Sequence, residues 1–131
     1  MTILLVDDEP ALVALFSDCL RRAGYDVKEA FDGDHALSLF VESPQSFALV
    51  ISDIHMPNIS GTELARFVAS HDCPVLLVSG GAIPPEVGAE GWNFLTKPLL
   101  PQTLVSAVAK ILKRKRSVRA DHPEIPGALS A

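Results

Sequence analysis

Phe47-Ala48-Leu49-Val50-Ile51 is the stretch on which the fold turns. It is the most apolar of the candidate strands, five unbroken apolar residues, so it is expected at the centre of a sheet. Ile3-Leu4-Leu5-Val6 is also unbroken, as a parallel strand covered on both faces should be. Pro74-Val75-Leu76-Leu77-Val78 reads as a further strand, and Trp92 to Leu95 as a short one. Asp26 to Ala30 is weaker and is placed at a sheet edge.

Helical patterns fill the intervals. Asp8-Glu9-Pro10 supplies an acidic first turn with an early proline, Leu12, Leu15, Phe16, Cys19 and Leu20 follow at helical spacing, and Gly24 is the stop. Asp32-Gly33-Asp34 turns into a helix with Ala36, Leu37, Leu39, Phe40 and Val41, ending near Ser43-Pro44. A loop from Asp53 to Gly61 leads to a helix with Leu64, Ala65, Phe67 and Val68. The last helix, Leu99 to Lys115, carries an inward stripe of Leu104, Val105, Val108, Ile111 and Leu112. Between Ser79 and Gly91, two prolines and four glycines disfavour a helix of more than one or two turns. The order is (βα)5, and the expected fold is α/β: a flavodoxin-like, doubly wound parallel sheet in the order 2-1-3-4-5 with a short or irregular fourth helix. One domain over residues 1–116 is expected, with a disordered tail over 117–131 that holds Pro123, Pro126 and Gly127.

Composition agrees with one soluble domain. The chain has 131 residues, 48% of them hydrophobic, which suffices for a core. It contains no membrane-length apolar run and no signal-peptide pattern, so a cytoplasmic location is expected. Cys19 and Cys73 fit no metal or disulfide spacing and read as free thiols. The net charge of −5 is uneven, since six of the 11 basic residues fall at Lys110, Lys113, Arg114, Lys115, Arg116 and Arg119. Cations suit a helix C-terminus, and the run lacks interleaved aromatics, which favours a solvated helix end over a nucleic-acid surface.

The chemistry gathers at the strand ends. Asp7 and Asp8 follow the first strand, Asp53 the third and Lys97 the fifth, while Ser79 closes the fourth. The strand order sets these groups side by side. Three carboxylates in one place repel one another unless a cation joins them, and Mg2+ takes such oxygen ligands while keeping waters for a phosphate. One Asp oxygen could then attack phosphorus, with Ser79 donating a hydrogen bond to a phosphoryl oxygen and Lys97 placing a charge on another.

Asp7-Asp8, Asp53-Ile54-His55-Met56-Pro57 with Gly61, Ser79 and Lys97-Pro98, in that order, resemble the receiver domain of two-component response regulators, here of a stand-alone type. The resemblance covers about residues 1–115. It implies that Asp53 is the phosphoacceptor, taking the group from a phosphohistidine of a sensor histidine kinase or phosphotransfer protein. It also implies Mg2+, or Mn2+ in its place, held by Asp8, Asp53 and the His55 backbone carbonyl, with Asp7 acting through water. Ser79 and Phe94 would be a switch pair, the Lys97-Pro98 bond would be cis, and the surface of strand 4, helix 4 and strand 5 would shift to control binding of an unknown downstream protein. The chain would be a regulatory phosphoacceptor rather than a general enzyme, with no DNA-binding domain and no membrane contact. Output would come from docking, a homodimer or onward relay of the phosphoryl group.

Some features stand apart from that pattern. The interval from Ser79 to Lys97 is shorter than is usual in the family, so its helix is expected to be irregular or mobile. The imidazole of His55 is expected in solvent at the pocket rim, and His35, His71 and His122 on the surface. Trp92 would cover the gap left by the weak helix or belong to an exposed contact surface. A Mg2+-dependent phosphatase of the haloacid dehalogenase type would want an Asp where His55 stands. A pseudo-receiver scaffold would not need every site position intact, and nucleotide or flavin binding would need a glycine-rich loop after the first strand.

Overall fold

In the computed structural model, residues 1–120 are described. The elements in order are β1 (Thr2–Val6), α1 (Pro10–Arg22), β2 (Asp26–Ala30), α2 (Gly33–Glu42), a 3-10 turn (Pro44–Ser46), β3 (Phe47–Asp53), α3 (Gly61–Ala69), β4 (Val75–Ser79), α4 (Pro85–Glu90), β5 (Asn93–Thr96) and α5 (Pro101–Ala120). Five parallel strands pair in the order β2-β1-β3-β4-β5. Alternate strand residues face opposite sides, as the pleat requires. Leu4, Val6, Val50 and Leu77 join Phe40, Leu64, Val68 and Val87 under α2, α3 and α4. Ile3, Leu5, Ile51 and Val78 join Phe16, Leu20, Leu104 and Val108 under α1 and α5. The expected doubly wound fold is therefore present, with β3 central and β2 at an edge.

Boundaries differ in instructive places. β3 continues to Asp53 instead of ending at Ile51, because Ser52 pairs with Val6 and Asp53 with Val78. α5 begins at Pro101 rather than Leu99, since the first helical hydrogen bonds, from the Thr103 and Leu104 N–H, go to the Leu100 carbonyl; the Lys97-Pro98 bond before it is cis. It also runs past Lys115 to Ala120, so the boundary at residue 116 falls inside a helix. The expected tail thus overlaps that helix at 117–120, and its remainder, His122 included, lies outside the described residues. α4 has only six residues, opened by Pro84-Pro85 and closed by Gly91 in the left-handed conformation at φ 72°.

The short α4 leaves part of the sheet bare. Phe94 pairs in register with Leu77 and is 47% exposed. Trp92 instead packs against the core beside Ile83, under the guanidinium of Arg66 on α3. Cys73 is buried, with its Sγ 3.6 Å from the Phe47 carbonyl oxygen, Cys19 is half-buried, and no disulfide joins them. His35 and His71 are exposed, but the His71 ring also packs against Phe67 and Phe40.

Candidate functional site: an acidic pocket at the strand ends

Backbone hydrogen bonds carry the sheet ladder one residue beyond the strands and so position the site. The Asp7 N–H donates to the Ala30 carbonyl (3.2 Å), Ile54 N–H to Val78 (2.9 Å) and Lys97 N–H to Ser79 (2.8 Å). Below Asp53, the chain turns back so closely that Gly61 N–H donates to the Ile54 carbonyl at 2.8 Å. A Cβ on Gly61 would run into the Asp53 carbonyl oxygen, so only glycine fits this approach without a shift. Ser60 then caps α3: its hydroxyl accepts from the Glu63 N–H and the Glu63 carboxylate accepts from the Ser60 N–H. The Ser60 N–H and then the Ser60 hydroxyl, each facing the carboxylate, hold the Glu63 carboxyl below its usual range.

Oxygens of Asp7, Asp8 and Asp53 lie within 4.8 Å of one another. Asp7 and Asp53 are buried at 4% and 6% exposure, whereas Asp8 is exposed at the mouth. Lys97 Nζ reaches Asp7 Oδ2 at 3.2 Å, Asp53 Oδ2 at 3.4 Å and Glu9 Oε1 at 3.6 Å. Burial raises the Asp7 carboxyl above its ordinary value, although the Glu9 N–H bond and Lys97 pull it down. For Lys97, burial disfavours the charge, but the pull of Asp7 and Asp53 wins and its pKa is raised. The ammonium thus remains a fixed cation against two buried carboxylates.

The remaining candidates are arranged differently. Ser79 is fully buried, and its hydroxyl donates to the Gly81 carbonyl (3.2 Å) while accepting from the Gly81 N–H (3.1 Å). His55 donates its backbone N–H to Asp53 Oδ1 at 3.3 Å. Its exposed imidazole is not left to solvent alone, because Nε2 lies 3.4 Å from the Ala82 carbonyl oxygen. Phe94 stands apart on β5 with its ring half in solvent. Sequence reasoning placed Glu9 only in a helix-start pattern and so missed its contact with Lys97. Its position directly after Asp7-Asp8, on the turn leaving β1, was the available signal.

Residues 3–109 match the response regulator receiver domain family. The chain belongs to this family. A solved receiver domain protein from Clostridium thermocellum superposes with a TM-score of 0.82 at 27% identity, covering 89% of this chain and 98% of that one. The receiver domain of the hybrid histidine kinase CckA does so with a TM-score of 0.75 at 35% identity, covering 86% and 99%. The phosphoglycerate transport system transcriptional regulatory protein PgtA of Salmonella typhimurium is 33% identical over 125 residues, 91% of this chain but 30% of PgtA. The chain spans a minor part of such curated relatives. A receiver domain is a regulatory signalling unit of two-component systems, and here its acidic pocket lies at the ends of β1 and β3. Among the described residues, no helix is long and apolar enough to cross a membrane.

Proposed function

We propose that this receiver is a switch operated by phosphorylation of Asp53. The observation that carries the reading is one lysine, Lys97, held between two buried carboxylates, with a third, Asp8, at the mouth. A donor phosphohistidine on a sensor kinase or phosphotransfer protein would lose its phosphoryl group as the P–N bond breaks. A P–O bond forms to an Asp53 oxygen, and the departing electron pair returns to the donor imidazole. The carboxylate set suits a hard cation, so Asp8, Asp53 and the His55 carbonyl would hold Mg2+ or Mn2+, with Asp7 acting through water. The bound metal would neutralise charge on the phosphoryl oxygens.

The chain's own groups do the rest. Lys97 would move from pairing Asp53 to pairing a phosphoryl oxygen, remaining tied to Asp7. Ser79 would donate to another oxygen, which requires its proton to leave the Gly81 carbonyl, because a hydroxyl has one proton to give. Phe94 would follow by turning into the space beside β4, altering the α4–β5 surface that a downstream protein reads. Intact mass spectrometry after treatment with acetyl phosphate and Mg2+ tests the acceptor. The unaltered protein should gain one phosphoryl mass and Asp53→Ala none; equal gain in both would exclude Asp53.

A further inference from the structure

We infer that the His55 imidazole is a positioning residue, a latch that pins the loop between β4 and α4 over the acidic pocket and so keeps the Ser79 hydroxyl committed to Gly81. His55 touches both sides of the pocket. Its main chain donates to Asp53 Oδ1, and its ring reaches across to Ala82. A carbonyl oxygen only accepts, so Nε2 must carry the proton in that contact. The same ring covers Gly81, where a Cβ would stand 3.4 Å from Nε2. Gly81 in turn makes both hydrogen bonds of the Ser79 hydroxyl.

Asp53, His55, Ala82, Gly81 and Ser79 therefore form one chain of contacts around the pocket mouth. Apart from Ile83, which packs half-buried against the core, little else secures this loop: Gly80, Gly81 and Ala82 are exposed, and the six-residue α4 beyond them buries only Val87. At 3.4 Å the His55–Ala82 bond is long, which makes it cheap to open. A latch of this strength biases the loop without locking it. Any group that displaces the His55 N–H from Asp53 Oδ1 also disturbs the ring, and the loop that engages Ser79 is released with it. That last step rests on Asp53 being the acceptor; the latch itself does not.

Hydrogen–deuterium exchange on the full chain, without a phosphodonor, tests the latch. In His55→Ala the Gly81 amide, which donates to the Ser79 hydroxyl, should exchange about three- to tenfold faster, the factor a hydrogen bond of ordinary net strength carries. β1 and β3 should be unchanged. His55→Gln keeps an N–H donor at similar reach and should restore slow exchange. Equal exchange in His55→Ala and the unaltered protein overturns the latch, and so does loosening that His55→Gln fails to reverse. Beryllofluoride with Mg2+, a phosphoryl mimic on carboxylates, should then bring the unaltered protein to the His55→Ala rate at the same amide. Mimic seen bound by fluorine NMR while the Gly81 amide stays slow overturns the coupling. Absence of any bound fluorine signal counts against Asp53 as acceptor, and the donor-free comparison alone then decides the latch.

Discussion

The two halves of the sheet differ in how they are covered. On one side, β1 and β3 are flanked by strands on both edges, and Phe40 on α2 is fully buried in a ring cluster with Phe47 and Phe67. On the other, β5 is an edge strand whose residues alternate between half-buried and exposed, and α4 buries a single side chain. The candidate acceptor Asp53 sits on the first half. Ser79 closes β4, where the second half begins, and Phe94 lies within it. A nucleophile needs fixed geometry, while a responding surface must come from the low-stability end of the structure. The difference in cover thus separates the place where a group would be received from the place where its arrival would be felt.

Mutations can break this contrast or sharpen it. Phe40→Ala should have the largest effect, a loss of about 3–5 kcal/mol in global stability measured by urea unfolding, because it empties a fully enclosed site. A loss under about 1 kcal/mol would mean the first half is not the rigid one. Val87→Ala should cost less, below about 2 kcal/mol for the methyl groups removed. Its main sign should be faster amide exchange confined to α4 and the loop before it, with the urea midpoint moved little. Spread of that exchange into β3 would abolish the distinction between the halves.

Asp7→Asn should show the smallest change. Burial raises the Asp7 carboxyl above 3.8, so the folded chain binds that proton more tightly than the unfolded chain does. The stability this contributes is full below pH 3.8 and is lost as the pH rises through the raised folded value. Ionised Asp7 therefore costs stability at neutral pH. Asp7→Asn should raise the melting temperature there and flatten its decline above pH 3.8. A lowered melting temperature would show that the attraction of Lys97 outweighs the cost of burial.

Much of this was legible in the sequence, and for a common reason. Unbroken apolar runs such as Ile3–Val6 have one stable use, a strand covered on both faces, so strand order and the convergence of Asp7, Asp53 and Lys97 followed from local pattern. What escaped depended on tertiary geometry. The end of β3 at Asp53 is set by pairing with Val6 and Val78, not by the polarity of Ser52 and Asp53. Polar residues from Lys113 onward carry no apolar stripe, so the extension of α5 left no periodic trace. The contact of the His55 ring with Ala82 joins residues far apart in the chain, and no spacing rule could have paired them.

Trp92, the single indole of the chain, lies where α4 hands over to β5, with the Arg66 guanidinium 5.9 Å from its ring centre. A nearby cation perturbs indole emission, and only α3 supplies this one. The molecule therefore carries its own optical gauge of whether the turn between α4 and β5 stays packed against α3, readable without attaching a dye.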